Sequence, residues 1–598
     1  MRLLCGEERG FIITDWEEKM KPYCCTFISK ERRVEPGKYD EYSRNLKTEN
    51  SMTLWRNDRG NAAAVFLADT GLEHAEITIT PPVDEHGAEG AGISVQAGFQ
   101  KYISTYEGSN WIPRPRPYIP PEPPGGNRSY SPDVICGPQT GRDPAAESEG
   151  KAVYPFWITV DVSADAAPGI YRSRILVTTD RGEQSELVQS IRVLNLTLEE
   201  SPDYYLNLWQ YPYAAAEYYG VTPFSEEHLE IMKNQMKLYL EAGGKTGTAS
   251  IVEEPWYHQT YCGYPSMVKW KKENGTWSFD YHDFDIWADF LIRELELPYV
   301  ECYSIVPWEN ILRYTEDGEQ KEQRAKPGTE LWEAAWSAFL EDFVSHLDQK
   351  GWFDHIIIAM DERPLEEMEA ALDLLESVRN KEGKSLKAGG AVNHYRQEIW
   401  DRLFTVTPHL SNIRASEIPP ELFRSEAKRR RERGQLTSIY SMIGDYPGTF
   451  SLSDPGEIAW IIWYVESCGA DGFLKWAYDA WCENPLEDNA HAYFEAGDMF
   501  LIYPGEYRGA KTKPGCSPRF QMMAEAIRDV RKLRQLSRMG PKYETRAAEL
   551  LSGVKQFYGT GESNGIGTAG FITAGEAVKE ALAEEVRRLH RQTEELLS

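Results

Sequence analysis

Over the first 200 residues the chain alternates apolar and polar positions in short runs. AAAVFLAD (62–69), AEITITPP (75–82), FWITVDVS (156–163) and YRSRILVTT (171–179) are separated by turn residues, with Pro168–Gly169 between the last two. A period of two over such lengths predicts strands, and several short strands with frequent turns predict a β-sandwich over residues 1–200. PRPRPYIPPEPPGG (113–126) is too proline-rich for either regular element and is expected to be an extended loop. From about residue 204 the rhythm changes. Candidate strands at 204–209, 247–251, 299–304, 355–360, 386–391, 411–416, 436–442 and 472–478 alternate with helical patterns such as 226–243, 331–347 and 365–378. Alternating strands and helices imply a parallel sheet covered by helices. Eight strands predict a (β/α)8 TIM barrel over 201–540, with an open doubly wound sheet as the alternative. Helical patterns at 522–536 and 575–597 predict a helical C-terminal extension over 541–598. GTGESNG (559–565) follows no strand and reads as a flexible loop, not a phosphate cradle.

The formal net charge of −29 argues against a nucleic-acid partner, which needs a basic field. The 18 Trp and 33 Tyr offer flat faces suited to sugar rings as well as to packing. The nine cysteines, an odd number without CxxC spacing, read as free thiols. His228, His258, His355, His394 and His491 stand apart, without metal-ligand spacing, so no metal or other cofactor is expected. No run approaches 18 apolar residues, so membrane insertion is not expected. No apolar stretch follows MRLLCGEERG, so the expectation is a cytoplasmic protein, although a processed secreted chain would read the same way. Oligomeric state stays open.

The chemistry concentrates at HIIIAM (355–360), a buried-type strand running into Asp361, Glu362, Arg363 and Pro364, with a helix from Leu365. Two adjacent acids at the C-terminal end of a barrel strand sit where barrel active sites form, and their repulsion and burial raise at least one pKa. The plain alternative is that Asp361 caps the helix and Glu362 pairs with Arg363. Consecutive carboxyls do not suit a pair placed on opposite sides of a glycosidic bond. They suit substrate assistance, in which a 2-acetamido oxygen attacks the anomeric carbon, Asp361 orients the acetamido N–H and Glu362 is acid and then base. Aromatic clusters at or just after strands nominate further cleft residues: Trp209 and Gln210, Trp256 and Gln259, Tyr303 and Trp308, and the trio Trp476, Tyr478 and Trp481. Continued alternation would put Trp476 and Tyr478 on one face, to wall an acetamido pocket with Trp481 and to offer the Tyr478 hydroxyl to the acetamido oxygen.

Long blocks spread over most of the chain resemble glycoside hydrolase family 123, the β-N-acetylgalactosaminidases. They are LWQYPYAAAEYYGV (208–221), PWYHQTYCGYPSMVKW (255–270), GTWSFDYHDFD (275–285), CYSIVPW (302–308), MDERP (360–364), GFLKWAYDAWCENPLED (472–488), AGDMFLIYPG (496–505) and SPRFQMMAEAIRD (517–529). The resemblance implies a sandwich ahead of a barrel, Asp361 as stabiliser, Glu362 as acid/base, and no cofactor. It implies a carbohydrate substrate, terminal β-linked N-acetylgalactosamine on oligosaccharides or glycolipid glycans. A β-N-acetylglucosaminidase or dual hexosaminidase, or a non-hydrolytic carbohydrate-binding protein on the same scaffold, are the alternatives. Three departures stand out: Gly448 where the family pattern suggests Asn, Gln521 where it suggests an acid, and an insertion at 506–516.

Overall fold

In a computed structural model, the described residues are 23–69, 72–105, 128–200, 204–257, 259–442, 445–489, 494–505, 513–559 and 574–596. The N-terminal segment, the proline-rich 113–126, His258, His491, 506–512 of the insertion and 560–565 of the Gly-rich segment lie outside them.

The N-terminal region is mostly sheet. Tyr23–Ile28, Asp58–Ala68, Lys151–Val162, Ile93–Thr105 and Ser129–Ile135 lie side by side in one sheet. Glu49–Arg56, Gln184–Thr197, Gly169–Thr179, His74–Ile79 and Gln139–Gly141 form a second. Alternate residues turn inward, so Phe66, Phe156 and Ile158 of one sheet meet Ile77, Ile175, Val177 and Leu187 of the other in a shared core. The first sheet also takes in Ile502–Tyr503 and Gly515–Cys516 from the C-terminal half, Cys516 pairing with Ile135.

The C-terminal part is built on eight parallel strands: β1 (Tyr205–Leu208), β2 (Thr246–Ser250), β3 (Tyr299–Tyr303), β4 (Ile356–Asp361), β5 (Lys387–Val392), β6 (Thr405–Pro408), β7 (Leu436–Tyr440) and β8 (Gly472–Lys475). They run in the order β1-β8-β7-β6-β5-β4-β3-β2, and β1 meets β2 only through the Leu206–Gly244 bridge, giving a nearly closed barrel. Helices Glu226–Glu241, Glu330–Lys350 and Leu365–Ser377 fall where the 3.6 periodicity placed them. The first starts at Ser225, whose hydroxyl accepts from His228 N, and the second stops at Gly351 with φ of 74°.

Side chains complete the β1–β2 seam. The Tyr239 hydroxyl bonds to Leu206 O at 2.9 Å and Thr246 O at 3.0 Å. Gln210 Oε1 accepts from Thr248 N at 2.9 Å, and its amide donates to Leu208 O and Thr246 O. Gln210, expected in the cleft, is therefore a fully buried seam residue: it supplies the backbone partners that a missing ladder would have supplied.

The sixth strand is not 411–416, as expected. Leu410–Arg414 is a short helix, and the strand is Thr405–Pro408 just before it. A four-stranded sheet (Lys269–Glu273, Thr276–Asp280, Ile311–Glu316, Glu319–Arg324) was not anticipated, and a helix at Pro541–Ser552 falls in the extension expected to be helical, where no individual helix was picked out. The helices Pro518–Ser537 and Glu576–Glu595 match the expected tail. Among the described residues no helix is long and apolar enough to cross a membrane.

Replacing Gln210 by Ala strands Thr248 N in the interior, while Thr246 O keeps the Tyr239 hydroxyl. An unsatisfied buried group costs about 1–3 kcal/mol, so denaturant unfolding is expected to show a loss of about 1–3 kcal/mol, with KM unchanged. A rise in KM without loss of stability would return Gln210 to the cleft.

Candidate active site

Asp361 is the last residue of β4, and Glu362 leaves the strand at φ of 49°. That left-handed conformation is uncommon for a residue with a side chain, and such strain clusters at functional sites. The amide of Glu362 still donates to Ala391 O at 3.2 Å, so the turn stays tied to the end of β5. The helix that follows is capped from Pro364 without a side-chain bond, and Arg363 pairs with Glu367 at 3.4 Å. Asp361 therefore does not cap the helix, and Glu362 does not hold Arg363.

Each acid has its own support. Trp308 Nε1 donates to Asp361 Oδ2 at 2.8 Å, and the Arg363 guanidinium lies 5.5 Å from the Trp308 ring. The Tyr440 hydroxyl donates to Glu362 Oε1 and lies 3.0 Å from Asn393 Oδ1. Behind Tyr440, at a ring distance of 5.0 Å, stands His409, whose Nε2 is 2.9 Å from Asp445. Burial disfavours a charge on His409, but the Asp445 carboxylate outweighs it and raises the pKa. Burial, then the charge of Glu362, pushes the Asp361 carboxyl up to about 7, against the opposing pull of the Trp308 N–H and Arg363. Asp361 thus holds a proton to near neutrality.

Both acids open into a cleft at the C-terminal ends of the strands. Trp209, Gln259, Trp308 and Trp476 line it. Trp256 and Tyr303 stand one layer back: Trp209 stacks on Trp256 at 5.2 Å and meets Tyr303 at 4.5 Å, while the Tyr303 hydroxyl donates to buried Glu301 at 2.9 Å. Tyr478 and Trp481 are not in the cleft. β8 ends at Lys475, so the alternation does not extend to residue 478. The Tyr478 hydroxyl instead donates to Gln235 O at 2.7 Å, and Trp481 Nε1 donates to Ile502 O at 2.9 Å. Both side chains are fully buried.

Tyr440, Ser441, Met442, Leu474, Phe494 and Asp498 line the cleft and were not singled out from the sequence. Tyr440 had a usable signal, since it ends a barrel strand; Asp498 lies in a loop, inside a block noted only for its resemblance. Asp498 is anchored by Lys475 Nζ at 2.6 Å and by Trp476 Nε1 at 2.7 Å. Gly448 and Gln521 lie elsewhere. Gly448 N donates to Glu457 at 2.6 Å, and a Cβ there would come within 2.7 Å of Phe450; Gln521 bonds to Cys516 Sγ at 3.3 Å. A wider hollow of about 840 Å³ adjoins the end of helix Glu226–Glu241, but it brings together no comparable acids and aromatics, and Arg59 on its wall is paired with Asp161 and Glu241. Among the described residues no three His, Cys, Asp or Glu side chains converge as a metal site.

The model of the glycoside hydrolase 123 catalytic domain matches residues 209–536, and that of the glycoside hydrolase 123 N-terminal domain matches 33–179. The chain belongs to glycoside hydrolase family 123. As a family 123 glycoside hydrolase it acts on carbohydrate. It is similar to a family 123 glycoside hydrolase from Clostridium perfringens, described for glycolipid glycan hydrolysis, with 28% identity, a TM-score of 0.86, and coverage of 96% of this chain and 98% of that one. A family 39 glycoside hydrolase from Bacteroides cellulosilyticus aligns at 10% identity over 76% of this chain and 80% of that one, with a TM-score of 0.33, too low to carry an argument. No curated protein matches the chain.

In this family 123 enzyme the folded form keeps the Asp361 proton to about pH 7, whereas an unfolded carboxyl releases it near 3.8. The stability contributed by Asp361 is therefore fully present below 3.8 and falls as pH rises towards about 7. Asp361→Asn is expected to melt above the wild type at pH 8, with the gap closing towards pH 4. A gap independent of pH would contradict the raised affinity of Asp361 for its proton.

Proposed function

We propose that this enzyme is an exo-acting, retaining β-N-acetylgalactosaminidase that works by substrate assistance. The observation that carries the reading is the consecutive pair Asp361–Glu362, turned by the left-handed Glu362 into an aromatic-walled cleft. In this reading the acetamido N–H of the sugar donates to Asp361, which favours its anion, and the proton that Asp361 held passes to Glu362. The acetamido oxygen attacks the anomeric carbon as Glu362 gives a proton to the departing glycosidic oxygen. The oxazolinium ion so formed is stabilised by the Asp361 anion. Glu362, now a carboxylate, takes a proton from water as that water opens the ring from the face the aglycone left, so configuration is retained.

Tyr440 orients Glu362, Trp308 orients Asp361, and Trp209 and Trp476 offer faces to the sugar. Terminal β-linked N-acetylgalactosamine on oligosaccharides or glycolipid glycans is the proposed substrate. Family membership and the glycolipid glycan hydrolysis described for the Clostridium perfringens enzyme support it. In finer terms the architecture is a β-sandwich at 1–200, a (β/α)8 catalytic barrel at 201–540 and a helical extension at 541–598.

The test is hydrolysis of para-nitrophenyl β-N-acetylgalactosaminide beside its gluco epimer, with the thiazoline mimic of the oxazoline as inhibitor. Galacto-selective turnover blocked by the thiazoline is expected. Glu362→Gln and Asp361→Asn should each lower kcat by roughly 10²–10⁴-fold while still folding. Turnover that ignores the thiazoline, or that survives both substitutions, contradicts the mechanism; equal rates on the two epimers make the enzyme a dual hexosaminidase.

The profile of kcat/KM reports the free enzyme, and because the pair must still hold one proton to give to the leaving group, its alkaline limb is expected near the value of about 7 set by Asp361. A profile that stays flat well above that value would count against this role for Asp361.

A further inference from the structure

Membership of the family leaves open which group in the cleft meets the hydroxyl that distinguishes galacto from gluco sugars. Resting on the reading above, we infer that Asp498 accepts a hydrogen bond from the C4 hydroxyl of the bound sugar and so governs preference at that carbon.

The barrel order places β4 and β8 four steps apart in a ring of eight, so their C-terminal ends face each other across the cleft. In a pyranose, C1 and C4 also lie across the ring from each other. A sugar held by its anomeric carbon and acetamido group at Asp361 and Glu362 therefore turns its C4 edge to the β8 wall. That wall is formed by Leu474, Trp476, Phe494 and Asp498. Among the described residues lining the cleft, Asp498 is the one charged group besides the catalytic pair.

Asp498 is built to receive a donor. Lys475 Nζ at 2.6 Å occupies Oδ1 and Trp476 Nε1 at 2.7 Å occupies Oδ2. A carboxylate offers about four acceptor positions, so each oxygen keeps one. Lys475 is itself fully buried and bonds to Thr449 Oγ1 at 3.0 Å, which fixes the carboxylate's orientation. Burying such a pair is expensive, and a structural purpose would be met as well by apolar residues of the same volume. At the wall of a sugar cleft the pair has a use: it presents an acceptor, held in place by Lys475 and Trp476, to a hydroxyl at the epimeric centre. Leu474 and Phe494 beside it offer that hydroxyl no partner. A site that hydrogen-bonds a substrate hydroxyl discriminates strongly against analogues that lack it.

The test measures kcat/KM for para-nitrophenyl β-N-acetylgalactosaminide and its 4-deoxy analogue, with wild type and D498N. Removing the hydroxyl should cost the wild type roughly 10- to 100-fold, the scale of a hydrogen bond to a charged group. In D498N the deoxy penalty should shrink to less than about threefold, because the two changes remove the same contact. K475M/D498N, which removes both charges together, serves where the single variant does not fold. The undiminished wild-type penalty in a folded Asp498 variant overturns the assignment and leaves the proposed function standing. Absence of wild-type turnover on both N-acetylhexosaminides overturns that function, and this inference with it.

Discussion

Two carboxyls on consecutive residues at the end of one buried strand repel each other, and the architecture around them answers that repulsion. Unit charges about 4 Å apart interact by about 4 kcal/mol at an effective dielectric constant near 20. Such a term is large enough, together with desolvation, to keep a proton on Asp361 to about pH 7. The supports are divided between the two. Trp308 and Arg363 serve Asp361, while Tyr440, with the His409–Asp445 pair behind it, serves Glu362. The left-handed backbone at Glu362 keeps both acids at the cleft although they adjoin in sequence.

The barrel does not hold its far wall alone. Arg519 donates to Thr449 O at 2.7 Å and Gly497 O at 2.9 Å, and its Nε reaches Asp133 of the sheet region at 2.9 Å. Gly497 precedes Asp498, and Thr449 holds Lys475. The N-terminal region is thus tied by a buried ion pair to the loop that carries the β8 side of the cleft. Breaking a buried pair by removing one partner costs about 3–5 kcal/mol. Its loss would loosen Lys475 and Asp498 as well as the junction between the two regions.

Much of this was legible in the residues. Five consecutive apolar residues ending in Asp–Glu–Arg–Pro identify a buried strand delivering acids to a barrel mouth, and the structure places them there. The long helices follow from their apolar spacing. The sixth strand was hidden because the barrel interior is polar: Thr405 bonds to buried Glu301, and Thr407 to Ser438. Tyr478 misled for a different reason. Period-two reasoning holds only while the ladder lasts, and β8 ends three residues earlier. Gln210 answers an unpaired stretch between β1 and β2 that exists only once the barrel has nearly closed. Asp498, in a loop, has no periodicity to announce it.

The most direct measurement of the central claim makes the participating oxygen progressively poorer while leaving the leaving group alone. Substrates carrying N-acetyl, N-fluoroacetyl, N-difluoroacetyl and N-trifluoroacetyl groups on one para-nitrophenyl galactosaminide should show log kcat falling steeply with each fluorine, because the amide oxygen is the nucleophile. A flat series would mean that the oxygen does not attack, and Asp361 would have to be assigned a different task.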